Sequence, residues 1–328
     1  MIRLLQRDRN GRIRRDLPLA ELPRLLRQPG GMVWLDFADE PPEVCEPIMR
    51  KAFGFHPLAV DDALQESHVP KLDDWGDYLY LAIHAIHYDA AREPSLTTHE
   101  FDTFLGPNYL VTHHDDPLPE VDRVWQRIGE DDRYLADGPD HLYYTLADEI
   151  IYSYLRNIEA IDDSIEAFED AVFERPTPST LVGVFALKRG LLQLRRVVGP
   201  QREVFNKLAR DDFRVVDKKD RIYFRDVYDH LVRLHDINES MRDQVTGVLE
   251  IYLSVINNRM NDTMKTLALV TTIFMPTSFL VGFFGMNYFA APVIFGQWTS
   301  LPSFGATMIV LALTPVAFYI WFRRRKWL

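Results

Sequence analysis

Residues 266–322 contain no Asp, Glu, Lys, Arg or His, and no acidic residue follows position 265 at all. Two apolar runs lie inside this uncharged stretch, Thr266–Phe284 and Phe304–Phe322, each 19 residues long. At about 1.5 Å of rise per helical residue each covers ~28 Å, close to the thickness of a hydrocarbon core. A buried hairpin of a soluble protein would carry a polar edge, and neither run has one. The expectation is two transmembrane helices joined by a short loop containing Gly285, Asn287, Pro292, Gly296 and Pro302. Cysteine is nearly absent as well. The single Cys45 excludes an internal disulfide framework and a Cys-rich structural zinc site, and fits a reducing cytoplasm. Met1–Asn10 has no apolar segment of the signal-peptide kind. No glycine-rich phosphate loop, Walker-type lysine or nucleophile elbow occurs, so neither ATP use nor an enzymatic activity is expected.

What charge there is divides unevenly. Of 37 basic side chains four stand together in Arg323–Lys326, leaving 33 against 48 acidic ones in residues 1–265, a net of −15. Such a segment disfavours nucleic acid and an anionic lipid surface and favours cations. The basic cluster directly after the second apolar run belongs in the cytoplasm by the positive-inside rule. With two spans, both termini are then cytoplasmic and the loop at 285–303 faces the other side.

Residues 1–140 read as a cytoplasmic α/β domain. Strands are expected at Met32–Phe37, Tyr78–His87, Glu100–Leu105 and Tyr109–His113, and helices at Pro18–Arg27, Pro42–Phe53, Pro57–Gln65 and Pro119–Ile128. His84, His87 and the run His113-His114-Asp115-Asp116 lack metal-ligand companions nearby in sequence and read as structural. Residues 141–265 read as cytoplasmic helices. One covers Tyr143–Glu174 and a second Ser179–Val198, where Gly199-Pro200 breaks or kinks it. A third begins near Asp220. If it is continuous to Phe284, its 65 residues span ~98 Å and form a stalk running into the membrane.

Along the first apolar run, Met264, Ala268, Thr271, Met275, Ser278 and Gly282 recur at alternating steps of four and three and so share one helical face. Asn261 begins this face and Gly285–Asn287 ends it. A stripe of small, hydroxyl and thioether groups fits either a close helix–helix seam or the wall of a pore built from several copies.

Gly285-Met286-Asn287 at the outer end of the first of two C-terminal spans resembles the signature of the CorA-type divalent-cation channels. So do Phe224–His230, Thr272–Pro276, Arg323–Leu328, His56-Pro57-Leu58 and Pro70-Lys71, which follow the family's order. The resemblance implies an α+β membrane protein of the plasma (bacterial inner) membrane. It would be a funnel-shaped homopentamer in which the stalk helix continues as transmembrane helix 1 (266–284) and lines the pore. The external loop (285–303), transmembrane helix 2 (304–322) and a basic tail (323–328) complete it. Gly285, Met286 and Asn287 would form the selectivity filter, with Asn261, Met264, Leu267, Thr271, Met275, Ser278 and Gly282 along the pore. The same resemblance implies regulatory divalent-cation sites between cytoplasmic domains at Asp62 and Asp226, with Asp61, Asp148 and His230 as a second set. Mg²⁺ would be both cargo and regulator, with Co²⁺ and Ni²⁺ as further permeants.

One departure touches ion identity. Residues following this signature are commonly acidic in the family, whereas Tyr288–Pro302 contains no acidic residue. A ZntB-like, proton-coupled Zn²⁺ transporter is therefore the alternative, and a membrane-anchored enzyme is a third reading without a catalytic constellation behind it.

Overall fold

The computed structural model describes residues 1–65, 69–90, 94–130, 135, 137–285 and 301–325, and the chain divides into two compact units, Met1–Tyr252 and Leu253–Leu328. The first unit is built on a seven-stranded sheet. Its strands are β1 (Ile2–Arg7), β2 (Ile13–Arg14), β3 (Met32–Ala38), β4 (Lys71–Asp74), β5 (Leu79–Asp89), β6 (Ser95–Leu105) and β7 (Tyr109–His114). They lie in the order β2-β1-β3-β7-β6-β5-β4, with β3–β7 parallel and every other pair antiparallel.

Both faces of this sheet are covered, which is why β3, Asp36 apart, is apolar at successive positions rather than at alternate ones. Leu4, Val33, Leu35, Phe37, Tyr80, Phe104 and Val111 point to one face. There they meet the short helices α1 (Leu22–Leu26), α2 (Pro42–Ile48) and α3 (Pro57–Leu64). Leu5, Trp34, Leu81, Ile83, Phe101 and Leu110 point to the other. That face is covered by α4 (Pro119–Glu130), α5 (Pro139–Glu174), α6 (Pro178–Arg210) and the first half of α7 (Arg221–Phe284).

The sheet's outer strand ends early. β4 pairs with only Leu79–Ala82 of β5, so the β5 edge beyond Ala82 needs other partners. Helical side chains supply them: Tyr154 donates to the His84 carbonyl, Gln201 Oε1 accepts from the His84 amide at 3.1 Å, and Asn157 bonds both the Tyr88 amide and the Ile86 carbonyl.

Three strands of the sheet lie outside the sequence expectation: β1, β2 and β4. The helix expected over Pro18–Arg27 is a 3₁₀ turn followed by the five-residue α1. Nor does Gly199-Pro200 break α6, which runs on to Arg210. Pro200 removes one backbone donor, but Val197, Val198, Gln201, Val204, Phe205 and Leu208 are buried on either side of it and hold the helix against the core. Its start is fixed by a capping box, Thr177 and Thr180 each accepting from the other's amide. Gly183 lets α5 and α6 approach: a Cβ there would stand 2.2 Å from the Phe168 ring.

In the first unit, α7 buries Phe224, Val227, Leu231, Leu234, Asn238, Met241, Val245, Val248 and Tyr252. Their spacing alternates between three and four throughout, the seam of a helix packed along one side. In the second unit Phe322 alone is buried among the described residues. From Thr266 onward α7 is apolar and largely exposed, as is the helix α8 (Leu301–Arg324), and both helices contain a stretch long and apolar enough to cross a membrane.

Candidate functional site

The stripe expected to line a pore lies on the exposed part of α7. Asn261, Met264, Leu267, Thr271, Met275, Ser278 and Gly282 are all exposed, Leu267 at 66% and Met275 at 70%. Leu267 apart, these residues are two positions out of phase with the seam ending at Tyr252, so in sequence they belong to a different helical face. Thr271 donates its hydroxyl proton to the Leu267 carbonyl, as Thr272 does to Ala268. Their oxygens are thereby left as acceptors, and Pro276 removes the amide that would serve the Thr272 carbonyl. Gly285 closes α7 by donating to the Val281 carbonyl at 2.9 Å. A Cβ at that position would lie 3.0 Å from the same oxygen, so glycine suits the turn. Met286 and Asn287 lie outside the described residues.

The carboxylates expected to bind regulatory ions fall into two places. Asp61 and Asp62 sit on α3, whose start is capped by His56 accepting from the Leu58 amide. Asp61 pairs with Arg50 at 3.0 Å and Asp62 with Lys71 at 2.5 Å. Burial works against the Lys71 ammonium, but Asp62 and Asp73 outweigh it and hold its pKa above the ordinary lysine value. The other three lie on α5 and α7, near enough to act on one another electrostatically. Asp148 of α5 faces Asp226 and His230 of α7: burial lifts its pKa above the usual carboxylate range, His230 opposes the rise and Asp226 adds to it. Tyr144 is pushed up to about 12 by its burial and by the charges of Asp148 and Asp226.

A further carboxylate group escaped the sequence reading. Asp140, at the start of α5, meets Asp217 and Asp220 from the turn before α7, and one oxygen from each lies within 4.8 Å of the others. Nothing local in the sequence signals this, because 77 residues separate Asp140 from Asp217.

The histidines read as structural are built into the sheet. Asp36 on β3 accepts from Arg3 at 2.6 and 2.9 Å and from Thr112 at 2.6 Å, with His114 Nε2 3.6 Å away. Burial opposes ionisation of Asp36, yet His114 and Arg3 outweigh it and hold its carboxyl below the usual range. On the opposite face Asp102 accepts from Tyr80 at 2.6 Å and faces His113 at 3.7 Å. His84 is buried beside Glu100, whereas His87 is exposed.

Comparison with known proteins bears on the family and the fold. The CorA-like Mg²⁺ transporter protein family matches residues 29–324. The chain is 33% identical over 277 residues to the cobalt/magnesium transport protein CorA of Thermotoga maritima, covering 84% of this chain and 78% of that one. It is 28% identical over 279 residues to the zinc transport protein ZntB of Yersinia pseudotuberculosis, covering 83% and 81%. The complete structure of the CorA magnesium transporter of Methanocaldococcus jannaschii has the same fold, with a TM-score of 0.83 at 22% identity over 99% of this chain and 98% of that one. These relatives are transporters rather than enzymes.

Proposed function

The chain belongs to the CorA-like Mg²⁺ transporter family of divalent-cation membrane transporters, and on that premise we propose that it forms a homopentameric channel admitting Mg²⁺ under control of internal Mg²⁺. The observation that carries the reading is the uncharged, exposed stripe of α7, which ends at Gly285, two positions before Asn287. Five such helices around an axis place the acceptor oxygens of Thr271 and Ser278 and the amide of Asn287 toward the ion path. Mg²⁺ gives up its water reluctantly, so amide and hydroxyl oxygens suit it by accepting from the hydration shell rather than replacing it. Met264, Leu267 and Met275 narrow the path between these polar levels. A divalent ion crossing 100 mV gains ~4.6 kcal/mol, at ~2.3 per charge, so entry needs no ATP.

Regulation follows from the carboxylates. Asp148, Asp226 and His230 gather in one chain, and Asp61 and Asp62 of an adjacent subunit complete the sites. Apposed carboxylates repel until a hard cation bridges them. Bound Mg²⁺ then holds the subunits closed, and its loss releases them. Replacing Asp62 and Asp226 together by alanine raises the internal Mg²⁺ needed for closure; unchanged inhibition removes them as the sensor.

The deciding experiment is ion uptake into proteoliposomes with voltage and pH gradient set independently. Voltage-driven Mg²⁺ entry, blocked by internal Mg²⁺ and shared with Co²⁺ and Ni²⁺, is the expected result. A second reading, proton-coupled Zn²⁺ transport, draws on the absence of acidic residues from 288–302 and on the similarity to the Yersinia zinc transporter. Zn²⁺ uptake that tracks the pH gradient with little Mg²⁺ flux decides in its favour.

A further inference from the structure

The group of Asp140, Asp217 and Asp220 lies apart from the carboxylates assigned to regulation and consists of residues from one chain. Asp140 is buried; its Oδ2 accepts from the Asp217 amide at 2.8 Å, which fixes the turn against the start of α5. Asp220 begins α7, its carbonyl accepting from the Tyr223 and Phe224 amides, and only 1% of its side chain is exposed. Its Oδ1 is held by His141 Nδ1 at 3.0 Å.

The other oxygen, Asp220 Oδ2, is buried and has no hydrogen-bond partner. The Lys219 ammonium stands 3.9 Å from it and is committed to Asp137 at 2.7 Å. A buried carboxylate oxygen without a donor is costly, and here two further carboxylates stand beside it. Asp140 feels the crowding: burial first, then the charges of Asp220 and Asp217, raise its pKa above the ordinary value. The His141 ring and the Lys219 ammonium are the basic side chains that touch Asp220. Neither of them bridges all three carboxylates.

We propose that Asp140, Asp217 and Asp220 form a divalent-cation site within each chain, binding a hard ion of the Mg²⁺, Mn²⁺ or Ca²⁺ class and clasping the start of α5 to the turn that enters α7. Oxygens on opposite sides of one Ca²⁺ are about 5 Å apart and on one Mg²⁺ about 4 Å. The 4.8 Å envelope therefore takes the larger ion as it stands and the smaller after a slight closing of side chains. Exposed Asp217 gives the ion its entry from solvent. Because only carboxylates and water ligate it, the site favours hard ions over Zn²⁺. The ion supplies the positive charge that Asp220 Oδ2 lacks.

The test uses the full-length protein in detergent, in a background where Asp62→Ala and Asp226→Ala have removed the proposed regulatory ligands. Bound Mn²⁺ is counted per chain by electron paramagnetic resonance. The background is expected to keep one Mn²⁺ per chain and to show a rise in thermal unfolding temperature with Mn²⁺. Adding Asp217→Asn, at an exposed position whose backbone contact to Asp140 is retained, is expected to remove both. Asp137→Asn is expected to leave both in place. Failure of the background to retain a Mn²⁺ per chain, or equal retention with and without Asp217→Asn, overturns the proposal. The regulatory reading stands or falls separately, on inhibition of uptake by internal Mg²⁺ in the Asp62→Ala and Asp226→Ala variants.

Discussion

The two halves of α7 show what one helix does under two different demands. From Arg221 to Tyr252 it buries a seam at three-and-four spacing and carries charged residues on its remaining faces, as a helix does against a protein core in water. From Thr266 to Phe284 it has no charge and exposes large apolar side chains. There the hydroxyls of Thr271 and Thr272 bond back to their own helix. In the first half, specificity comes from which residues are hidden. In the second it comes from which residues are small or polar within an otherwise uniform surface, because lipid gives apolar groups no reason to hide from it.

This contrast can be broken at several points. The largest effect is expected at the outer end. Asn287→Ala should abolish Mg²⁺ uptake in proteoliposomes while the oligomer still elutes intact; undiminished flux would remove Asn287 from the ion path. Next comes a matched pair of truncations. Leu231→Ala, at a fully buried seam position, should destabilise the first unit by roughly 2–5 kcal/mol. Leu267→Ala, exposed on the second half, should leave denaturant unfolding of that unit unchanged and alter ion flux. A reversal of these two results would dissolve the distinction.

Within the seam, Asn238 is the exception: it is fully buried and neither amide atom has a partner. Asn238→Leu should stabilise the first unit by about 1–3 kcal/mol, the desolvation cost of an unmade bond, read as a higher urea midpoint. A lower midpoint would mean that the amide is satisfied in the working assembly.

The smallest effect concerns the sheet beneath the seam. Burial opposes the His114 imidazolium, but Asp36 outweighs it and raises its pKa above 6.5. Its contribution to stability is thus complete below pH 6.5 and is lost as pH rises through the raised value. Asp36, held low, contributes above 3.8 and loses its share as acid takes pH down through its folded pKa. In His114→Gln the alkaline loss should disappear from the pH profile of the urea midpoint. An unaltered profile would assign that loss to another group.

The membrane-facing half was the more legible in sequence, since absence of charge over a fixed length is a signal no tertiary contact can mask. The central strands β3, β5 and β7 and the second half of β6 were also visible through alternation and aromatic or β-branched content. β1 was not, because Arg3 and Gln6 sit inside it and read as surface residues; the pairing of Arg3 with Asp36 and Asp122 buries it, and no local pattern announces those partners. β4, Lys71–Asp74, is a polar edge strand with one apolar residue and no periodicity to find. At the site, Asp148, Asp226 and His230 were reached through family resemblance, and the structure shows why spacing could not have done it: they join α5 to α7 across 78 residues of chain between Asp148 and Asp226. The same distance in sequence concealed Asp140 from Asp217.

The plugging of the β5 edge has a bearing on crowding. An open strand edge offers a row of amides and carbonyls to any neighbouring chain, and membrane insertion brings copies of this protein together in a plane at high local concentration. Tyr154, Asn157 and Gln201 occupy that row from His84 to Tyr88 before another chain can. Copies meeting along this side encounter helices rather than a template for strand exchange. Such contacts can form and release without joining two sheets into one.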